Sequence, residues 1–214
     1  MISMSEPISD TASARCRATR ATPVAGILRG AFFHYIRVLG NGWQVVRQVG
    51  AALAARPEER VLDVGCGTGA FCLVVPGEYV GVDTNPNYIA FGRWRWAGAG
   101  RCFQATDFAA FDDVASFDKA LLVNCLHHMS DAEASAALLK LARLVRRCLV
   151  VADADPEASN WLQAFLLRHD RGHFIRSRAA QRALLNGHFT VTGEWQFRNT
   201  PHTVVQTLFV CEPK

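Results

Sequence analysis

The sequence predicts an α/β fold, a doubly wound and mostly parallel sheet with helices on both faces. Short apolar runs typical of strands alternate with stretches of helical spacing from about residue 57 onward. The first of these runs enters a turn with three alternating glycines. Parallel strands need crossover connections, and helical crossovers cover both faces of the sheet. The 214 residues suit one such domain with a short extension.

The amino-terminal part of the chain shows two patterns. Residues 1–22 are rich in Ser, Thr, Ala and Arg without an apolar period, which predicts a disordered tail. The apolar spacing over 23–56 predicts two helices, placed to act as a lid on the α/β domain of 57–214. The aromatic side chains Phe32 and Phe33 suit either such a lid or a face packed on the sheet.

Seven runs are predicted as strands, and in chain order they span 61–64, 79–82, 101–105, 119–123, 148–152, 189–197 and 203–211. Helices are predicted over 86–96, from residue 130 and over about 157–185. Ser130 and Glu133 have the spacing of a capping box, which marks a helix start. The last two strands follow each other closely, which predicts an antiparallel addition at one edge of the sheet.

Composition and charge exclude several classes of protein. The apolar fraction of 50% is too high for a disordered chain. No apolar run approaches the roughly 18 residues of a transmembrane helix. Net charge is +4 with scattered arginines, which predicts neither a membrane partner nor a nucleic-acid partner. Seven cysteines without a C-x-x-C pair predict reduced thiols and a cytoplasmic protein.

The glycine turn, at residues 65–69, is the most informative segment. Glycine allows a sharp turn and a close approach of the backbone to a ligand, and the N-terminus of the predicted following helix offers N–H groups. The pattern from Gly65 to Ala70, with Asp83 18 residues after Gly65, also fits a dinucleotide site. Asp63, at the mouth of the loop, disfavours a pyrophosphate and favours a cationic ligand.

The motif Asp63-x-Gly65-x-Gly67-x-Gly69 resembles that of the class I S-adenosylmethionine-dependent methyltransferases. Further matches follow strands two, three and four, at Asp83, Asp107 and 124–128. The resemblance covers about residues 24–212. It implies a Rossmann-like, seven-stranded sheet with an antiparallel last strand. It also implies an enzyme that uses S-adenosyl-L-methionine to methylate oxygen or nitrogen of a small-molecule substrate.

The resemblance implies two groups of cofactor-binding residues, the first around the methionine part. Asp63 is expected near the methionine amino group, and the Asn124 carbonyl is expected to bind the same ammonium. Gly65, Gly67 and Gly69 are expected to pass under the cofactor.

The second implied group contacts the nucleoside. Asp83 is expected to accept hydrogen bonds from both ribose hydroxyls. Asp107 is expected to accept from the adenine amino group, while the Phe108 N–H reaches a ring nitrogen. Thr84 stands where the family often has a larger apolar residue against adenine, which is a departure from the pattern.

Candidate catalytic and substrate-binding residues come from position alone. The candidates for a general base are histidines, His127 and His128 after strand four and His173 after strand five. The candidates for substrate binding are His169, Arg171, Arg176 and Tyr35.

Metal dependence is not predicted. Catechol-type relatives place metal-binding acids after strands four and five, but Asn124 follows strand four, and only Asp153 and Asp155 follow strand five. Two alternative functions stay open, an NAD(P)-dependent oxidoreductase with the same glycine turn and a non-catalytic cofactor-binding or scaffold protein. The sequence does not predict an oligomeric state.

Overall fold

The computed structural model describes residues 24–39, 42–96, 98–112, 116–156, 174–199 and 204–214. Its helices and strands are α1 (Val24–Leu39), α2 (Gly42–Leu53), β1 (Arg60–Val64), β2 (Glu78–Asp83), α3 (Pro86–Trp96), β3 (Arg101–Ala105), β4 (Phe117–Val123), α4 (Asp131–Leu144), β5 (Val145–Ala154), α5 (Arg178–Asn186), β6 (Phe189–Asn199) and β7 (Val204–Pro213). Short 3-10 helices, Ala70–Val74 and Leu126–His128, follow β1 and β4. The predicted tail over 1–22 lies outside the described residues, and so does the part over 157–173 of the helix predicted over about 157–185.

The seven strands form one sheet in the order β3-β2-β1-β4-β5-β7-β6. Strands β1 to β5 are parallel, whereas β7 is inserted between β5 and β6 and runs antiparallel to both. The predicted fold class is therefore confirmed. The chain reverses its direction of winding between β1 and β4, and ligands of open α/β sheets bind beside the carboxyl ends of the strands at such a point.

A hydrophobic core lies on each face of the sheet. Alternate residues of each central strand point to opposite faces, so Val61 packs with α2 and α3, whereas Leu62 packs with α4 and α5. Because both faces are covered, the central strands are apolar almost throughout, as the runs in the sequence predicted.

The helix predicted after the glycine turn is only a short 3-10 helix, Ala70–Val74. A proline follows at position 76, and it restricts Val75 to an extended conformation, here φ −113° and ψ 104°. The helical segment therefore ends after five residues. The predicted capping box is confirmed, since Ser130 and Glu133 each accept a hydrogen bond from the other's backbone N–H.

Helix α1 packs against α3 through its small residues. A methyl group added to Gly30 would lie 2.4 Å from Phe91 Cβ and 2.6 Å from the Asn87 carbonyl oxygen, so the two helices meet backbone to backbone. We call this contact, made by Gly26 and Gly30, the glycine seam. Phe33 stacks on Tyr88 of α3, with ring centroids 4.2 Å apart, and so packs on a helix and not on the sheet.

No helix of the described residues is long and apolar enough to cross a membrane. Cys66, Cys72, Cys125, Cys148 and Cys211 are free thiols. Cys102 is disulfide-bonded, however, so the expectation of reduced cysteines is wrong at that residue.

Candidate functional site

The glycine loop lies between β1 and the 3-10 helix Ala70–Val74, and its backbone conformation excludes side chains at the glycine positions. Gly65, Gly67 and Gly69 all have positive φ, at 70°, 54° and 78°. A Cβ on Gly65 would lie 2.6 Å from Cys125 Sγ, and a Cβ on Gly69 would lie 2.3 Å from the Phe103 ring. Both conformation and space therefore require glycine, as the sequence predicted.

Asp83 links the end of β2 to this loop. Its Oδ2 accepts a hydrogen bond from the Gly67 N–H at 2.8 Å, and its Oδ1 accepts one from the Asn85 N–H at 2.8 Å. The residue is half-buried beside the loop. Because each carboxylate oxygen can accept a second hydrogen bond, the side chain suits the predicted contact with a ligand diol.

Asp63 lies in β1 beneath the loop, 1% exposed, and not at the mouth of the loop as the sequence indicated. Its Oδ2 accepts a hydrogen bond from the Tyr79 hydroxyl at 2.6 Å. Burial and the charge of Asp63 raise the pKa of Tyr79 well above its ordinary value, so the phenol stays protonated and donates. Asp63 therefore contributes negative potential from inside the sheet.

The predicted adenine-binding residues follow β2 and β3. Asp107 is exposed and its Oδ1 accepts a hydrogen bond from the Ala109 N–H at 2.8 Å. The Phe108 ring is buried in the core, so the backbone of Phe108 is the part that can contact a ligand. Thr84 is exposed, which leaves its role in adenine binding a prediction.

Asn124 ends β4 in a left-handed conformation, with φ 51°. Asn adopts this region more readily than most residues do, and the turn carries the chain away from the sheet. Its side-chain oxygen accepts a hydrogen bond from Gln206 Nε2 at 2.8 Å, which fixes the amide. No sequence pattern indicated Gln206, which lies on β7.

His127 and Asp153 form a buried pair at the carboxyl ends of β4 and β5. The Nδ1 of His127 lies 2.5 Å from Asp153 Oδ1, and the His127 N–H donates to Oδ2 at 3.1 Å. Both side chains are under 9% exposed. The ring of the exposed His128 lies 4.1 Å from that of His127. The sequence identified both histidines but considered Asp153 only as a metal ligand.

Arg176 does not have the predicted role of a substrate clamp. Its guanidinium donates to the carboxylate of Asp131 and to the carbonyl oxygens of Leu126, Met129 and Phe174, at 2.7 to 3.1 Å. These bonds use all five guanidinium N–H groups, so the side chain fastens the start of α4 to the segment after β4. The position of Arg176 after strand five suggested a substrate contact, but the sequence does not show which partners surround an arginine.

Of the other predicted substrate-binding residues, the structure describes only Tyr35. Tyr35 is on the solvent side of α1 and is 58% exposed. The predicted His169, Arg171 and His173 lie outside the described residues, and their roles stay predictions.

Helix α1 contacts the glycine loop directly. The Nδ1 of His34 lies 2.9 Å from Thr68 Oγ1, and the Trp96 indole N–H donates to the Thr68 carbonyl oxygen at 2.9 Å. Both His34 and Thr68 are buried. The sequence placed α1 as a lid but did not identify this connection, which depends on the fold and has no local signature.

Negative charge accumulates at this edge of the sheet. Within the described residues, the carboxylates of Asp83, Asp107 and Asp153 bond to backbone N–H groups and to an imidazole, and to no Lys or Arg side chain. Such a site attracts a cation. No group of three or more His, Cys, Asp or Glu suited to a metal ion is present in the described part of the chain.

Residues 61–148 match the model of a methyltransferase domain family. Over 121 residues the chain is 31% identical to the O-methyltransferase resE of Aspergillus sclerotiorum, which covers 52% of this chain and 45% of that protein. Over 124 residues it is 34% identical to the O-methyltransferase cnsE of Penicillium expansum, covering 52% and 44%. The chain thus spans less than half the length of these curated relatives.

The fold is that of solved methyltransferases. The N-methyltransferase NodS of Bradyrhizobium japonicum WM9, in complex with S-adenosyl-L-homocysteine, superposes with a TM-score of 0.66 at 17% identity, covering 79% of this chain and 86% of that one. The Rossmann-like fold is therefore confirmed, and the resemblance to methyltransferases is confirmed over residues 61–148.

Proposed function

Since residues 61–148 match a methyltransferase domain, we propose that this protein transfers a methyl group from S-adenosylmethionine to an oxygen or nitrogen atom of a small molecule. The observation that carries the proposal is the set of carboxylates around the glycine loop, which bond to no Lys or Arg in the described residues. A sulfonium nucleoside is cationic and has no phosphate, so it complements this potential. A dinucleotide would bring its pyrophosphate toward the same carboxylates, which disfavours the oxidoreductase alternative.

The residues of the loop fit this cofactor. The loop can turn beside Cys125 with a positive φ because Gly65 has no Cβ, and the carboxylate of Asp83 stands beside Gly67 with acceptor capacity for ribose hydroxyls. Bound there, S-adenosylmethionine supplies a methyl group already activated by its positively charged sulfur. The protein's remaining tasks are to align the acceptor and to exclude water.

The pair of His127 and Asp153 suits the task of a general base. Asp153 contacts Nδ1 of the imidazole, so we assign proton exchange with an acceptor to Nε2. The carboxylate also stabilises the imidazolium that forms when the ring takes a proton. A hydroxyl acceptor needs such a base more than a neutral amine does, so the pair favours oxygen as the methylated atom.

Calorimetry with the full chain tests the choice of cofactor. We expect S-adenosylhomocysteine and S-adenosylmethionine to bind, and NAD(H) and NADP(H) to give no heat under the same conditions. Binding of a dinucleotide with no binding of either sulfur nucleoside would contradict the proposal. Retention of the cofactor without turnover on any small phenol, alcohol or amine would favour the non-catalytic alternative.

Two substitutions test the base. His127→Asn and Asp153→Asn should each lower kcat by about 10²- to 10⁴-fold with a hydroxyl acceptor, measured as release of S-adenosylhomocysteine at saturating cofactor. His188→Ala is the matched control, because His188 is not a candidate base and its Nε2 lies 2.8 Å from Ser135 Oγ on α4. Unchanged kcat in both His127→Asn and Asp153→Asn, with unchanged cofactor affinity, would show that alignment alone suffices.

A further inference from the structure

The solvent side of α1 carries a stripe of large apolar side chains. Five of them recur along one side of the helix and are between 51% and 71% exposed, namely Val24, Leu28, Phe32, Tyr35 and Ile36. With Trp43 on α2, they make up six of the eleven large hydrophobic residues that are exposed in the described part of the chain. The opposite side of α1 is occupied by the glycine seam. A stripe of this size on an otherwise polar surface marks an interaction site.

Basic charge is concentrated in the same part of the chain. Between residues 11 and 57 the sequence has seven arginines and no Asp or Glu, whereas 58–214 has 16 basic and 17 acidic residues. Arg29 follows Leu28 and is exposed beside the stripe. Arg47 is exposed on α2, one turn after Trp43. An apolar stripe bordered by arginines and free of acids complements an apolar surface that is also anionic.

We propose that α1 docks in the plane of an anionic lipid membrane, with its apolar stripe at the boundary of the acyl chains and its arginines at the headgroups. Amphipathic helices with basic borders bind bilayers in this way, through buried apolar area together with attraction to anionic lipid. The docking is peripheral, since no helix of the described residues can span a bilayer. The proposal departs from the expectation that the protein has no membrane partner.

The charge distribution favours lipid over a second copy of the chain as the occupant of the stripe. A symmetric dimer across α1 would place the same arginines of both copies at one interface, where like charges repel. Phosphate headgroups supply the opposite charge instead. The proposal is independent of methyl transfer, since it rests on α1 and α2 and not on the loop.

Vesicle co-sedimentation with the full chain tests the proposal. The probes are vesicles of phosphatidylcholine with phosphatidylglycerol in equal parts, and vesicles of phosphatidylcholine alone. The wild-type protein should bind the anionic vesicles and release them at high salt, because salt screens the arginines. Leu28→Ser and Phe32→Ser should each weaken binding about tenfold. Arg29→Gln should weaken it about fivefold.

Leu139→Ser is the matched control, because Leu139 is 45% exposed on α4 and far in sequence from the stripe. This variant should bind as the wild type does. All these side chains are exposed, so thermal unfolding should show folded proteins. The proposal is overturned if the wild type does not bind anionic vesicles at low salt, or if Leu28→Ser and Phe32→Ser bind unchanged. It is also overturned if light scattering shows a dimer that Phe32→Ser dissociates, because the stripe is then a subunit interface.

Discussion

The amino ends and the carboxyl ends of the parallel strands differ in how their charged side chains are paired. At the amino ends, Glu59 is paired with Lys119 at 3.0 Å, and Arg60 is paired with Glu78 at 3.3 Å. At the carboxyl ends, the carboxylates of Asp83 and Asp153 meet N–H groups and an imidazole. The charges at the amino ends are neutralised by ion pairs within the protein, whereas the carboxyl ends retain a negative potential.

This difference separates stability from binding. The Lys119 ammonium also donates to the carbonyl oxygens of Leu53 and Ala54, so one buried cation ends α2 and joins it to the sheet. The carboxylates of Asp83 and Asp153 at the carboxyl ends meet no Lys or Arg side chain within the described residues, so their negative potential remains for a ligand. Substitutions at the amino ends should therefore affect unfolding, and substitutions at the carboxyl ends should affect affinity.

The largest effect is expected at Lys119. Lys119→Met leaves the buried Glu59 without its near partner and leaves two carbonyl oxygens without a donor, which should lower the free energy of unfolding by about 3–5 kcal/mol. Urea denaturation measures the loss. Calorimetry on the folded variant should give an unchanged affinity for S-adenosylhomocysteine. A large loss of affinity with unchanged stability would contradict the comparison.

A smaller effect is expected at Asp83. Asp83→Ala removes the acceptor for ribose hydroxyls and should weaken S-adenosylhomocysteine binding by about 1–3 kcal/mol, as measured by calorimetry. Asp118→Ala is the matched control, because Asp118 Oδ2 accepts the Arg60 N–H at the other end of the strands, at 2.9 Å. The control should lower stability without changing affinity. Equal affinity of wild type and Asp83→Ala would refute the role of Asp83.

The amino ends should also contribute a pH dependence. Burial raises the pKa of Glu59, but the Arg56 N–H and the Lys119 ammonium outweigh it and hold this pKa below its ordinary value. A lowered carboxyl pKa stabilises the folded state above the unfolded pKa, and the contribution is lost as pH falls through the folded pKa. Unfolding curves from neutral to acid pH should show this loss. Glu59→Gln should be less stable at neutral pH and show a shallower acid decline.

The smallest effect is a change in thiol acidity beside the loop. Burial, followed by the charges of Asp153, Asp83 and Asp63, raises the pKa of Cys125 to about 12. Cys125 should therefore react slowly with iodoacetamide at neutral pH, as followed by mass spectrometry of its peptide. Asp83→Asn should lower that pKa slightly and speed the reaction at alkaline pH. A slower reaction in the variant would contradict the negative potential assigned to the carboxyl ends.

Local patterns made the fold and much of the loop predictable. The apolar runs and the loop glycines each form a pattern within a short stretch of sequence. These patterns therefore predicted the strands and the positions of Asp83 and Asp107 at the strand ends. The pairing of His127 with Asp153 was not predictable, because 26 residues separate the two and only the neighbouring of β4 and β5 joins them. The contacts of Arg176 with Asp131, Leu126 and Met129 were not predictable either, because these residues are also distant from it in sequence.

The orientation of α1 was ambiguous in the sequence for a different reason. Helical spacing identified an apolar stripe through Leu28 and Phe32, and apolar stripes normally face a core. Here the side facing the protein is the one with Gly26, Gly30 and His34, which lack large apolar side chains. The spacing of apolar residues shows that a helix is amphipathic. It does not show which side of the helix packs against the rest of the protein.

The glycine seam has a consequence for how the amino-terminal helix and the loop change together. Gly30 admits no methyl group, so any side chain there would push α1 outward and draw His34 away from Thr68. Under the proposed function, a substitution at Gly30 would therefore weaken cofactor binding, although Gly30 is distant in sequence from the loop. The outer side of α1 has no such restriction, so its residues can be substituted without displacing the contact between His34 and Thr68.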